Sequence, residues 1–354
     1  MSAPEAAPFF SVIVPVLDGG APFAHCLAAL AASSFQDREL IVVDDGSRDG
    51  SAELARRHGA RVLATAGRCG PAAARNLGAR VARGTYLFFV DADCEIAPDA
   101  FERAARRLAA DPSLDGIFGA YDDAPAAPGW VAQVKNLHHH FVHHANAGSI
   151  STFWAGCGAV RRTTFEAVGG FDSARYPGPA IEDIELGYRI HDAGGRVILA
   201  PEIQAKHWKA WTLASVTRSD LCERGIPWMQ LVCSRRATHT ELNLAWRARA
   251  CAAAVALAAV GLAAAPALPW LASGLPLAAI VVAILERDFL GYVGARKGAR
   301  LAGAALVFLL IHHFVASLAA LLGGALYLAR ERRATRAVAT RSVPATSEMP
   351  RASS

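Results

Sequence analysis

The chain has 354 residues, 53% of them hydrophobic, and a formal net charge of +5. That length allows one or two domains, and the apolar content with a positive mean hydropathy excludes an ordinary soluble enzyme and places part of the chain in lipid. The charge is modest and its arginines gather beside the C-terminal apolar runs, which excludes a nucleic-acid-binding stripe and favours membrane phosphates.

Met1 to Pro8 carries neither a basic patch nor an apolar run, so no secretory signal is visible and residues 1–8 are expected to be a flexible lead into a cytosolic domain. Seven scattered cysteines without paired spacing agree with reduced thiols. Phe10 to Val16, with Pro15 near its end, reads as the first strand and Ala21 to Ala32 as a helix. The turn between them lacks Gly-x-Gly-x-x-Gly, which disfavours a dinucleotide-binding fold. A second strand, Glu39 to Val43, runs into Asp44-Asp45-Gly46-Ser47. An acid there can accept the imide N–H of a uracil ring or a ribose hydroxyl, or can simply make an Asp-Gly turn. Helix Gly50 to His58 and strand Arg61 to Ala64 follow. Helix Pro71 to Ala82 opens after Gly70, so that its N-terminus and Arg75 could both face a phosphate or base; the alternative is a surface arginine.

Strand Tyr86 to Val90 ends in Asp91 and Asp93. Acids one residue apart where a buried strand emerges can share a hard divalent cation, Mg2+ or Mn2+, and through it hold a diphosphate whose charge the carboxylates alone would repel. A helix cap or an Asx-turn is the plainer alternative. Helix Pro98 to Ala110 and strands Gly116 to Ala120 and Arg196 to Ala200 complete the alternation of an α/β domain with a largely parallel sheet. Its polar residues gather after strand ends, where open sheets of this class bind ligands.

Between those strands, His138 to His144 places His139 with His143 and His140 with His144 at helical spacing, but no carboxylate or cysteine completes a metal set. Trp130, Val134, Leu137 and Phe141 form an apolar stripe, which predicts an amphipathic helix resting on membrane or core. Further on, Glu182, Asp183 and Glu185 open a helix. Asp183 could act as a general base; the alternative is first-turn acids favoured by the helix dipole, with Glu185 paired to Arg189. His207 is a candidate metal or phosphate contact, and Arg218 and Arg224 are candidate phosphate clamps upstream of Trp228.

Past about Thr240 the composition changes. Ala250 to Leu285 is uncharged and would extend roughly 54 Å as a helix, with Pro266, Pro269 and Gly274 able to break it into a hairpin. Leu301 to Leu328 is a second uncharged run of about 42 Å. The basic clusters Arg247 and Arg249, Arg287 to Arg300, and Arg330 to Arg333 all favour the cytosolic side, which three simple spans cannot satisfy. Either the last run is re-entrant or one cluster is translocated.

Taken in order, Asp44-Asp45-Gly46, the Asp91 and Asp93 pair, Phe153-Trp-Ala-Gly-Cys-Gly158, Gly169-Gly-Phe-Asp172 and Glu182-Asp183 resemble glycosyltransferase family 2, the inverting enzymes of the GT-A fold, over roughly Phe9 to Trp228. The resemblance implies a GT-A-like mixed, mainly parallel sheet flanked by helices over residues 9–240, with membrane-proximal helices from about 205. Transmembrane or membrane-associated helices would fill 241–330, and a disordered basic tail 331–354. It implies that Asp45 contacts the nucleobase, that Asp91 and Asp93 serve ribose and metal, that His207 joins Asp93 on the metal, and that Asp183 is the base. Pro15, Arg75, Glu182, Arg224 and Trp228 are expected beside the nucleotide-sugar. The segment around Arg224 departs from the Gln-x-x-Arg-Trp pattern of processive synthases, which favours transfer of one sugar. The function expected is therefore a plasma-membrane, multi-pass, metal-dependent transferase with a cytosolic catalytic domain. It would use a nucleotide diphosphate sugar, UDP-linked by default, and a lipid-linked or envelope acceptor. A non-catalytic nucleotide-sugar-binding membrane module and a processive synthase are the alternatives.

Overall fold

The computed structural model describes residues 7–235 and 245–341. Its first half is an alternation of β1 (Phe10–Val16), α1 (Gly20–Ala32), β2 (Arg38–Asp44), α2 (Ser51–Arg57), β3 (Arg61–Ala64), α3 (Pro71–Val81) and β4 (Tyr86–Val90). Short β5 (Cys94–Ile96), α4 (Ala100–Ala110), β6 (Gly116–Tyr121), α5 (Trp130–Ala145) and β7 (Gly148–Ile150) follow. Then come β8 (Cys157–Arg161), α6 (Arg162–Ala167), α7 (Glu182–Asp192), β9 (Val197–His207), α8 (Leu213–Arg218) and α9 (Ile226–Arg235). A π-helical turn, Ser219–Gly225, joins the last two.

The nine strands make one sheet in the order β3-β2-β1-β4-β8-β6-β9-β5, with β7 on β9. Its first four strands are parallel, as are β6 and β9, while β8, β5 and β7 run antiparallel to their neighbours. The parallel character expected from the alternation is thus confined to part of a mixed sheet. Val12, Val14, Phe88 and Phe101 fill one face, and Ile13, Ile41, Phe89 and Leu186 the other. Apolar runs without alternation are what a strand covered on both faces requires.

β9 runs well past the expected boundary at Ala200, through Pro201. The chain absorbs Pro201 in an irregularity opposite β6, between Phe118 and Ala120. Gly119 makes it fit: a Cβ there would lie 1.9 Å from the Ile203 carbonyl oxygen. The extension carries His207 into register with Cys94. α5 packs its Val134 and Leu137 stripe against the C-terminal helices, so core rather than lipid covers that face. Two of its histidines bond β6, His140 Nδ1 to the Tyr121 carbonyl at 2.7 Å and His143 Nδ1 to the Gly119 carbonyl at 3.1 Å.

The apolar region folds as α10 (Trp246–Ala264), a 3-10 turn at Pro269–Ser273, α11 (Gly274–Leu285), α12 (Arg287–Lys297) and α13 (Ala299–Arg341). Two helices, Trp246–Ala264 and Ala299–Thr335, are long and apolar enough to cross a membrane, and Pro269–Leu285 with Arg287–Lys297 forms a further apolar pair bent by 76°. The sharp bend therefore falls between α11 and α12, whereas the last apolar run, expected as a candidate for re-entry, is one unbroken helix. That helix continues to Arg341 through the start of the stretch expected to be disordered, which opens with Glu331, Arg332, Arg333 and Ala334, residues of good helix propensity. Residues 342–354 and 1–6, also expected to be disordered or flexible, lie outside the described residues.

Close packing positions the first turn of α7. A Cβ on Gly187 would lie 2.3 Å from the backbone of Thr152 and Phe153. Gly187→Ala is expected to cost about 1–3 kcal/mol of stability, since backbone cannot yield as a side-chain tip can. Thermal unfolding by circular dichroism measures it, and an unchanged Tm would show that the contact is softer than it looks.

Candidate active site

A cavity of about 990 Å³ opens beyond the carboxyl ends of β1, β2 and β4 and reaches the first turn of α7. Pro15, Asp45, Arg75, Asp91, Asp93, Glu182, Asp183, Arg224 and Trp228 all line it. The sequence-predicted residues thus share one chamber, with two exceptions. Arg218 is exposed and outside the lining, and His207 stands just behind Asp93.

Asp45 is 4% exposed and organises the loop leading to α3. Its Oδ1 accepts hydrogen bonds from Thr65 Oγ1 and the Cys69 N–H, both at 2.8 Å, and its Oδ2 from the Gly70 N–H at 2.8 Å. Gly70 adopts φ +86°, and a Cβ there would lie 2.3 Å from the Pro177 carbonyl oxygen. The loop before α7 is therefore seated directly on the loop that Asp45 holds.

Arg75, expected at a phosphate or base, is a buried strut. Its Nη2 donates to Asp91 Oδ1 at 2.6 Å and its Nη1 to Glu182 Oε1 at 2.8 Å, with the guanidinium over the Phe171 ring. Burial opposes its charge, but Asp91, Glu182 and Asp183 outweigh that and hold it above its ordinary value. Glu182 is equally committed, since its Oε2 accepts the Ala180 N–H at 3.0 Å.

Asp93 and His207 meet because β5 pairs with β9. His207 Nε2 lies 3.5 Å from Asp93 Oδ2, and its ring stacks on Tyr121 at 4.2 Å. Burial would raise the Asp93 carboxyl, yet His207 and Lys209 bring it below its ordinary value, so it is ionised at neutral pH. Asp91, Asp93 and the Cys94 thiol lie close enough together to hold an ion. The Cys94 thiol is pushed well up, chiefly by burial, and stays protonated. His207 backs Asp93 from outside the cavity lining and is not part of that cluster. The two carboxylates at the cavity wall offer the oxygen ligands that a hard divalent cation such as Mg2+ or Mn2+ takes.

Asp183 stands in the first turn of α7, half-buried, with its exposed part turned to the cavity. Its Oδ2 accepts the Ala155 N–H at 3.1 Å and its Oδ1 the Ile184 N–H at 2.8 Å. Burial, then the neighbouring Glu182 charge, raise its pKa to about 6 against the pull of Arg75 and these two N–H groups. A carboxylate that ionises just below neutrality is suited to proton abstraction.

The sequence reading missed a buried ionic network at the far end of the cavity. Lys135 Nζ donates to both oxygens of Asp220 at 2.8 and 2.9 Å, and His312 Nδ1 lies 3.1 Å from Asp220 Oδ2. It joins α5, the π-helical turn and α13. Lys135 within an apolar stripe was the available signal, but its partner lies 85 residues away.

Residues 11–169 match the family described as Glycosyl transferase family 2. The chain is 38% identical over 97 residues to the uncharacterized glycosyltransferase YibD of Escherichia coli, an alignment covering 26% of this chain and 28% of that protein. It is 31% identical over 116 residues to the glycosyltransferase GlyG of Streptococcus pneumoniae, covering 31% and 38% respectively. The chain thus spans about a third of the length of these curated relatives. Among solved structures, a mannosyltransferase from Pyrobaculum calidifontis, in complex with GDP-Man and Mn2+, superposes with a TM-score of 0.54 at 21% identity, covering 88% of both chains. Shared fold and matched segments agree: residues 11–169 carry the match to Glycosyl transferase family 2, and the chain has a GT-A fold.

Proposed function

We propose that the chain is a membrane-anchored, metal-dependent inverting glycosyltransferase that moves one sugar from a nucleotide diphosphate sugar to a lipid-linked acceptor at the cytosolic face of the plasma membrane. One observation carries this reading. A single cavity is lined at one end by Asp45, Asp93 and Asp183 and at the other by Ala248 and Ala252 of α10 and Ala316, Ala319 and Ala320 of α13. A chamber walled by both a donor-type acid site and small apolar residues of membrane-type helices suits a hydrophilic donor and a lipid-borne acceptor.

Asp91 and Asp93 would hold Mg2+ or Mn2+, which when bound neutralises charge on the departing diphosphate. The related structure's Mn2+ and GDP-Man support a divalent cation and a nucleotide-sugar donor; a UDP-linked sugar is our default. Asp45 fixes the loop that would meet the nucleobase, with Pro15 beside it. Arg75 and Glu182 orient the acid pair against the first turn of α7. Asp183, ionised at neutral pH, takes the proton of the acceptor hydroxyl as that oxygen attacks the anomeric carbon. Arg224, on the cavity wall, meets phosphate oxygens.

A thermal-shift screen of UDP- and GDP-sugars tests this. A true donor at a hundredfold excess over its Kd is expected to raise stability by about 2.7 kcal/mol, and only when Mn2+ or Mg2+ is present. No shift with any donor would end the proposal. A shift without release of nucleotide in the presence of membrane lipid would mark a binding module instead.

A further inference from the structure

α13 touches the catalytic domain along most of its length. Just before it, Arg296 pairs with Asp123. Within it, His312 meets Asp220 and Ala319 abuts Gly225, where a Cβ would lie 2.5 Å from the Ala319 Cβ. A Cβ on Gly323 would lie 2.7 Å from the Met229 Cβ, and Arg330 Nη1 reaches Gln230 Oε1 at 3.4 Å. The π-helical turn and α9 that receive these contacts belong firmly to the catalytic domain. Trp228 Nε1 donates to the Tyr188 hydroxyl at 3.0 Å, and Arg235 pairs with Asp192.

Between Ala299 and Arg330 the helix is about 47 Å long, against a ~30 Å hydrocarbon core. Were it to cross the bilayer, the domain packed along it, with the Lys135–Asp220 pair and the polar cavity, would have to follow it across. Charged groups at that depth are costly.

The two faces of α13 point to another placement. Val307, Phe314, Leu321 and Leu328 are 51%, 45%, 70% and 56% exposed. Their seven-residue spacing keeps them in one ridge that drifts only about 20° per heptad. At 3.6 residues per turn, His312, Ala319, Gly323 and Arg330 lie on the opposite side, roughly 170° away. Beside this helix, α10 and α11 form a hairpin closed at its base by α12, where Arg247 Nη1 of α10 lies 3.1 Å from Asp288 Oδ2 in the first turn after the bend. Ser317 of α13 donates to the Ala252 carbonyl at 2.8 Å, so α10 also rests on α13. The hairpin tip exposes Leu268 and Trp270.

We infer that α13 is not a span but lies in the plane of the cytosolic leaflet, catalytic domain above and apolar ridge toward the acyl chains, while the α10–α11 hairpin enters the bilayer and returns. The bilayer, as the ridge's occupant, explains the charge pattern. Arg247 and Arg249, Arg296 to Arg300, and Arg330 to Arg333 then all sit on the cytosolic side among anionic headgroups, which no set of three crossing helices achieves. The cavity floor, formed by His312, Ala316, Ala319 and Ala320 of the same helix, lies at headgroup depth. This inference rests on the membrane association proposed above.

Spin labels test it in the full chain, reconstituted in vesicles containing anionic lipid. Val307→Cys, Phe314→Cys, Leu321→Cys and Leu328→Cys are made one at a time in a background with Cys69, Cys222 and Cys233 replaced by serine. An in-plane helix gives all four labels the same shallow depth by oxygen against aqueous nickel relaxation. A crossing helix gives a depth that rises and falls along the series, which would overturn the inference. Ridge labels shielded from both oxygen and nickel, with dipolar broadening between copies, would assign the ridge to a second chain and also overturn it. Labels open to nickel throughout would instead remove the membrane association itself. Trypsin on the unaltered chain gives an independent reading: cleavage after Arg330 to Arg333 is expected in inside-out vesicles and not in right-side-out ones, and the reverse would sink the inference.

Discussion

Asp183→Asn is expected to lower kcat/KM by about 10²- to 10⁴-fold, the range associated with removing a general base, while leaving the fold intact. The variant keeps the size of the side chain and loses only its ability to take a proton. In the wild type, kcat/KM should rise with pH through an apparent pKa near 6, because below that value Asp183 is protonated and above it is the base. The stability consequence has the opposite sign. A folded-state pKa raised from 3.8 to about 6 favours the neutral carboxyl, so that contribution is full below the unfolded value and lost as pH rises through 6. Above pH 7, Asp183→Asn should therefore be as stable as the wild type or more so, by up to about 1–3 kcal/mol. A pH–rate profile and thermal unfolding of both proteins at pH 5 and pH 8 check the pair of expectations. Near-normal turnover in the variant would remove Asp183 from the chemistry and point to an acceptor oxygen that is already anionic, such as a lipid phosphate.

Arg75→Met should be the most destabilising single change at the site. It leaves Asp91 and Glu182 facing each other without their cation, in a place where Arg75 and Glu182 side chains are each only 6% exposed. Breaking a buried pair from one side costs about 3–5 kcal/mol, which corresponds to a fall in Tm on the order of 10 °C. Combining Arg75→Met with Asp91→Asn and Glu182→Gln should recover much of the loss, since neutral partners no longer need the guanidinium. Arg75 also lowers the Asp183 pKa, so any residual activity of Arg75→Met should show its acid limb at higher pH than the wild type. A surface arginine would show neither the Tm loss nor the rescue.

These expectations concern two kinds of residue that look alike in the chain. Asp93 and Asp183 are half-buried at the cavity wall, Asp183 while also accepting two backbone N–H groups, whereas Arg75, Glu182 and Asp45 are buried and turn their polar atoms on other protein groups. Nothing in a one-dimensional pattern separates an acid aimed at a ligand from an acid aimed at a backbone N–H. Three filled positions on the Asp45 carboxylate are visible only once the loop at Cys69 and Gly70 has closed on it.

What the chain declared unaided was local. Unbroken apolar runs marked β1, β2 and β4, because strands covered on both faces need them, and acids directly after those runs marked the edge where the cavity opens. The charge-free runs Ala250 to Leu285 and Leu301 to Leu328 marked membrane-type helices for the same reason of solvation. Tertiary structure decided what depends on distant pairing. The β5–β9 register set His207 beside Asp93, the Gly119 irregularity carried β9 past Pro201, and Lys135 found Asp220 across 85 residues. It also decided which way the last helix runs: composition measures only how apolar a helix is, whereas its contacts with Asp220, Gly225, Met229 and Gln230 fix its direction against the domain.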